Sequence, residues 1–159
     1  MKLVLSSFFV YLFFVCSPVF AESFFKEYAV KVSGIKIGKL FWKIKIEDTN
    51  YSNEIKLKSE GLLSALYKFE GDYYSKGVVD KKELKPARYK HSWKTNKTNK
   101  EMDLVFKDEK LISLKQTPIE KENLRINIFD IKKNKDPLTS FLQIMLGEQS
   151  SMVIDGRRT

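Results

Sequence analysis

From Glu22 to about Gln116 the sequence alternates with a period of two. Tyr28, Val30 and Val32 share one side of an extended chain, with Lys31 opposite. Leu40, Trp42, Ile44 and Ile46 alternate with Lys43 and Lys45, and Asn53, Ile55 and Leu57 with Glu54, Lys56 and Lys58. Tyr89, His91 and Trp93 alternate with Arg88, Lys90 and Lys94, and Met102, Leu104 and Phe106 with Glu101, Asp103 and Lys107. Successive side chains of a strand point to opposite faces, so each segment has one largely apolar and one charged side. Such a pattern suits an antiparallel sheet with one wetted face. Turn chemistry separates the segments at Gly34–Gly38, Glu47–Asn50, Thr95–Lys100 and Lys107–Lys110. The expected fold class is mainly β: a curved antiparallel sheet or half-barrel of about six to eight strands.

Two stretches leave the alternation. Gly61–Tyr67 is a short apolar run that fits a helical turn, a bulged strand or a flap. Residues 137 to 146 predict the principal helix. Asp136 suits its cap, Pro137 its first position and Gly147 its end. Leu138, Phe141, Leu142 and Met145 then form one apolar stripe, expected to be buried on the concave face of the sheet. Leu40, Trp42, Ile44, Ile55, Leu57, Leu104 and Phe106 are expected to be buried with it. Met152-Val153-Ile154 reads as a strand and Asp155-Gly156 as a turn, so the hairpin lacks its second half and a C-terminal truncation is expected.

The start of the chain gives an address. Met1-Lys2 precedes an unbroken apolar stretch from Phe8 through Cys16, and then Ser17-Pro18-Val19-Phe20-Ala21. A charged start, an apolar stretch too short for a bilayer and a small residue at the cut define a cleavable signal peptide over residues 1–21. Residues 22–159 are then a single, incomplete β-rich domain, expected in a bacterial periplasm. Cleavage removes Lys2 and lowers the formal charge from +9 to +8; it also removes Cys16, the only cysteine. Neither a disulfide framework nor a cysteine nucleophile remains.

The early Tyr28–Gly38 stretch, Leu84-Lys85-Pro86-Ala87-Arg88-Tyr89, Asp136-Pro137-Leu138-Thr139-Ser140-Phe141-Leu142 and Ile154-Asp155-Gly156-Arg157-Arg158 occur in an order and spacing that carry a likeness. The chain resembles a bacterial envelope family catalogued as domain of unknown function 3108. The resemblance implies a secreted, mostly antiparallel β domain whose last turn is followed by further strands. It implies no activity, cofactor or catalytic residue.

Chemistry-bearing residues are sparse. His91, the only histidine, sits between Tyr89 and Trp93 at strand spacing and reads as a packed strand histidine. One histidine and no mature cysteine make a zinc site unusual. Glu70 with Asp72, Glu101 with Asp103, and Glu120 with Glu122 are carboxylate pairs two apart. Such pairs can hydrolyse glycosidic bonds, but lysines across the strands account for them more simply. No catalytic, metal or cofactor-binding residue is assigned. The aromatic supply is the positive signal. Trp42, Tyr67, Phe69, Tyr89 and Trp93 are the candidate lining of an apolar ligand site.

The expected function is a non-enzymatic envelope module that binds an apolar or lipid-like ligand. A structural protein pairing through a sheet edge is the alternative, and an envelope hydrolase ranks last. Expected partners are lipid or an anionic envelope polymer, with peripheral membrane contact and no nucleic acid. Cleavage after Ala21 predicts that the intact mass of the exported protein begins at Glu22; a mass that includes Met1 would end the export reading.

Overall fold

The computed structural model describes residues 22–61, 63–119, 127–147 and 153. Seven strands form one antiparallel sheet in chain order: β1 (Glu22–Val32), β2 (Ile35–Ile46), β3 (Asn50–Ser59), β4 (Phe69–Asp80), β5 (Glu83–Thr95), β6 (Asn99–Lys107) and β7 (Lys110–Thr117). The sheet is curved and does not close. A short helix, α1 (Leu63–Leu66), links β3 to β4, and α2 (Pro137–Met145) packs on β3, β4 and β5. The expected signal segment, Met152, Ile154, the Asp155-Gly156 turn and the Glu120/Glu122 pair lie outside the described residues. Val153 makes one parallel bridge to Lys135.

Three hairpins turn in two residues, both with positive φ: Ser33-Gly34, Lys81-Lys82 and Asp108-Glu109. Two-residue loops of this hand match the right-handed twist of the strands they join. The first reversal is therefore narrower than the Gly34–Gly38 stretch, because Ile35 to Gly38 already belong to β2.

Register places the side chains in rows across one face. One row is Tyr28, Leu40, Leu57, Gly71 and Trp93. The next is Lys26, Trp42, Ile55, Tyr73, His91 and Met102. A third is Phe24, Ile44, Asn53, Ser75, Tyr89, Leu104 and Leu114. Beyond it lie Ile46, Tyr51 and Gly77. α2 and the chain from Asn127 to Asp136 cover the end of this face nearest the two-residue turns of β4–β5 and β6–β7. Tyr89, Met102, Leu104, Phe106, Leu111, Ile128 and Leu138 form one buried cluster, and Ile44, Tyr51, Leu84 and Leu142 a second.

The burial expectation holds for Ile44, Leu104, Phe106, Leu138 and Leu142. Leu40, Trp42, Ile55 and Leu57 are only half-buried. Phe141 and Met145 are corrected outright, at 46% and 52% exposed. The helix docks through Leu138, Thr139, Leu142 and Gln143, about a quarter turn away from its own apolar stripe. Polar side chains hold that rotation. Gln143 Oε1 accepts from the Leu84 backbone N–H at 2.7 Å, and its Nε2 donates to the Lys82 carbonyl at 3.2 Å.

β4 offers glycine where a strand core offers bulk. A Cβ on Gly71 would meet the Trp93 ring at 2.9 Å. A Cβ on Gly77 would lie 2.0 Å from the Lys85 carbonyl oxygen and 2.8 Å from the Tyr51 ring. Backbone cannot retreat as a flexible side chain can, so Gly77→Ala should cost about 2–4 kcal/mol. The midpoint of urea unfolding followed by tryptophan emission measures it; a shift worth under about 0.5 kcal/mol would contradict the packing described.

Candidate functional site

The sheet face beside α2 is only partly covered. The first two rows remain open as a floor of Tyr28, Leu40, Leu57, Trp42, Ile55 and Tyr73. Tyr28 is 44% exposed, and the other five are half-buried. Trp93, lying over Gly71, stacks on Phe69 with ring centres 5.5 Å apart and planes 12° apart, and Tyr67 sits 6.4 Å from Phe69. At the α2 end Trp42 meets the edge of Phe24 at 5.6 Å and the tilted ring of Phe141 at 5.5 Å. Its Nε1 donates to Asn53 Oδ1 at 2.7 Å, which fixes the indole in the floor.

Four of the five aromatic residues expected to line a site thus belong to this open surface: Tyr67, Phe69 and Trp93 at one end and Trp42 at the other. Tyr89 does not. It is 2% exposed within the first core cluster, with its hydroxyl 3.1 Å from His91 Nδ1. His91 is half-buried against Tyr73 and Tyr89, a packed strand histidine. Sequence reasoning missed Leu40 and Leu57 as floor because it expects them in the buried core, and it missed Tyr73 because β4 does not show the alternation. Strand register, which turn chemistry sets, was the signal that places them beside Trp93.

The two carboxylate pairs among the described residues, Glu70 with Asp72 and Glu101 with Asp103, lie on the opposite, charged face. Glu70 faces Lys58 and Lys94, Asp72 faces Lys56, and Asp103 faces Lys90 and Lys115. A trough of about 780 Å³ runs there among Lys56, Lys76, Arg88, Lys90, Asp72 and Asp103. Arg88 grips Asp103 through two hydrogen bonds of 2.8 and 2.6 Å. The guanidinium holds the Asp103 carboxyl below its ordinary range, whereas a glycosidase acid needs the opposite shift. Among the described residues no three His, Cys, Asp or Glu side chains group as metal ligands.

A buried polar clasp under α2 was not legible in the sequence. Asp136 caps the helix, its Oδ1 accepting the Thr139 backbone N–H at 2.9 Å. Its Oδ2 accepts the Thr139 hydroxyl at 2.5 Å and the Ser75 hydroxyl at 3.0 Å. With the Thr139 proton committed to Asp136, Tyr51 OH donates to Thr139 Oγ1 across 2.6 Å. Asn53 Nδ2 donates to the Leu138 carbonyl at 3.2 Å. Asp136, Ser75, Asn53 and Thr139 are all 0% exposed. The clasp has no opening for a substrate, so it serves architecture.

Burial raises the Asp136 pKa above its ordinary 3.8, and the hydrogen bonds from Thr139, Ser75 and the backbone pull it only partly back. The folded state therefore holds this proton more tightly than the unfolded chain. The resulting stability is complete below pH 3.8 and is lost as pH rises through the folded value. Exposed carboxylates held low, such as Asp80 and Glu60, work in the other direction. The informative quantity is thus the difference between wild type and Asp136→Asn. As pH rises from about 4 to 7, wild type should lose stability relative to D136N. Parallel stability curves for the two proteins would contradict this.

The comparisons with known proteins name no activity. No curated protein matches the chain, and no solved structure does. A family model does match, over residues 27–144, from the middle of β1 almost to the end of α2. The chain belongs to that family, described as a protein of unknown function (DUF3108).

Proposed function

We propose that the protein is an exported, non-enzymatic envelope module that holds an apolar or lipid-like chain on the open floor of its sheet. The carrying observation is the floor itself: two cross-strand rows of half-buried apolar side chains with aromatic groups at both ends. Soluble domains cover such rows or use them. Several features support the ligand class. Among the described residues the two rows of the floor carry charge only at their edges, Lys26 on β1 and Lys100 on β6, suited to an anionic head group. Its aromatic faces accept aliphatic chains without directional demands. The signal segment supports an envelope location, where acylated molecules are abundant.

A chain that removes roughly 300 Å² of apolar surface from water gains about 7 kcal/mol before the cost of ordering it. Binding no tighter than about micromolar follows. Both tryptophans of the protein, Trp42 and Trp93, lie in the floor. Titration with a medium-chain fatty acid should therefore shift tryptophan emission to the blue and saturate. Leu57→Glu, which sets a carboxylate in the middle of the first row, should weaken binding at least about tenfold. Urea unfolding reports whether the variant still folds. Unchanged emission up to the solubility limit of the acid would refute the proposal, as would equal affinity in a folded L57E protein.

A further inference from the structure

The quarter-turn rotation of α2 leaves a second apolar surface on the outside of the molecule. Phe141, Ile144, Met145 and Leu146 are 46–60% exposed along the helix. Met145 and Leu146, with Leu142, Phe24, Ile44 and Ile46, border a groove of about 300 Å³ between α2 and the first two strands. This surface joins the floor through the Phe141–Trp42 contact, so apolar side chains continue from the helix's outer side to Trp42.

We infer that this strip docks the protein on an anionic lipid bilayer, with α2 lying in the plane of the interface. The inference rests on the proposed floor, for which it supplies a route of lipid entry. Charge argues for a bilayer over another apolar partner. The chain carries a formal +9. Three nearby acids are paired, Asp80 with Lys85, Glu47 with Lys45, and Glu83 with Lys135, which leaves Asp48 as an acid of that end without an ion pair among the described residues. Exposed Lys81 and Lys82 form no ion pair among the described residues, and their turn is tied to α2 by the Gln143 hydrogen bond. Lys26 stands beside Trp42 on the same face as the groove, also without an ion pair among the described residues. An apolar helix side rimmed by lysines is what an interfacial helix presents to acidic lipid. No helix among the described residues is long and apolar enough to cross a membrane.

The test is co-sedimentation of the protein, as the cell processes it, with vesicles of phosphatidylcholine alone or mixed with phosphatidylglycerol. Wild type should bind the mixed vesicles and scarcely the neutral ones. The double variant Ile144→Glu, Met145→Glu, at two exposed positions, should lower partitioning at least about tenfold. Lys81→Asn with Lys82→Asn should weaken only the phosphatidylglycerol-dependent part, about fivefold for each lysine. Asparagine keeps the turn, because it tolerates positive φ. Fatty-acid titration of the same variants should be unchanged, which separates failure of docking from failure of the floor. Equal binding to both vesicle types would overturn the inference, as would undiminished binding by I144E/M145E. A wild-type dimer in light scattering that I144E/M145E dissociates would also overturn it, assigning the strip to a second copy of the chain.

Discussion

The rotation of α2 rests on one buried carboxylate. Asp136 takes three donors, from the Thr139 backbone, the Thr139 hydroxyl and Ser75, and Tyr51 completes the chain through Thr139. Leaving even one of these groups unpaired in the interior costs about 1–3 kcal/mol. Turning the helix to bury Phe141 and Met145, already about half covered, would recover about 1 kcal/mol of transfer energy each. It would also break the bonds of Asp136, Thr139 and Gln143 together. Several unsatisfied buried groups outweigh two half-exposed apolar ones, so Thr139 and Gln143 meet the sheet beside Leu138 and Leu142, and Phe141 and Met145 stay half in water.

The same clasp explains what the sequence concealed. Alternation located β2, β3, β5 and β6 because their inward positions carry Trp42, Ile44, Ile55, Leu57, Tyr89, Leu104 and similar residues. β4 escaped the pattern. Its inward positions are Gly71, Tyr73, Ser75 and Gly77, which look like turn or loop material. Each departure has a partner in space. Trp93 lies over Gly71, Tyr51 lies over Gly77, and Ser75 belongs to the clasp. The volume missing from β4 is supplied by its neighbours, which no reading of one segment can detect. The helix shows the converse. Its location, cap and end were legible, but its docking side was not, because an apolar stripe is weak evidence against buried donors and acceptors specified by another strand.

The candidate site was legible to a similar depth. Of the aromatic residues expected to line a site, Tyr67, Phe69 and Trp93 lie together at the end away from α2, and Trp42 lies at the other end against Phe141 of the helix. Tyr89 sits on the same side of its strand as Trp93 yet falls beneath the covered end, four residues along β5. Cover, not orientation, separates the two. The position of that cover depends on Asn127–Asp136 and the clasp, whose role appears only when distant segments meet.

The two faces of the sheet therefore answer different demands. On the charged face lysine and carboxylate alternate across strands, and ion pairs such as Arg88–Asp103 satisfy the charges within the sheet. Such pairs keep the protein in solution and contribute little to stability. On the other face apolar surface runs from Phe69 and Trp93 through Leu57, Leu40 and Trp42 to Phe141 and Ile144, interrupted mainly by Lys26 at its edge. Exposure of that length is a liability for aggregation. Among the described residues α2 covers only one end of that face, where the hydrogen bonds of Asp136, Thr139 and Gln143 fix which of its sides meets the sheet. Phe141 is left against Trp42, where the covered end meets the aromatic floor.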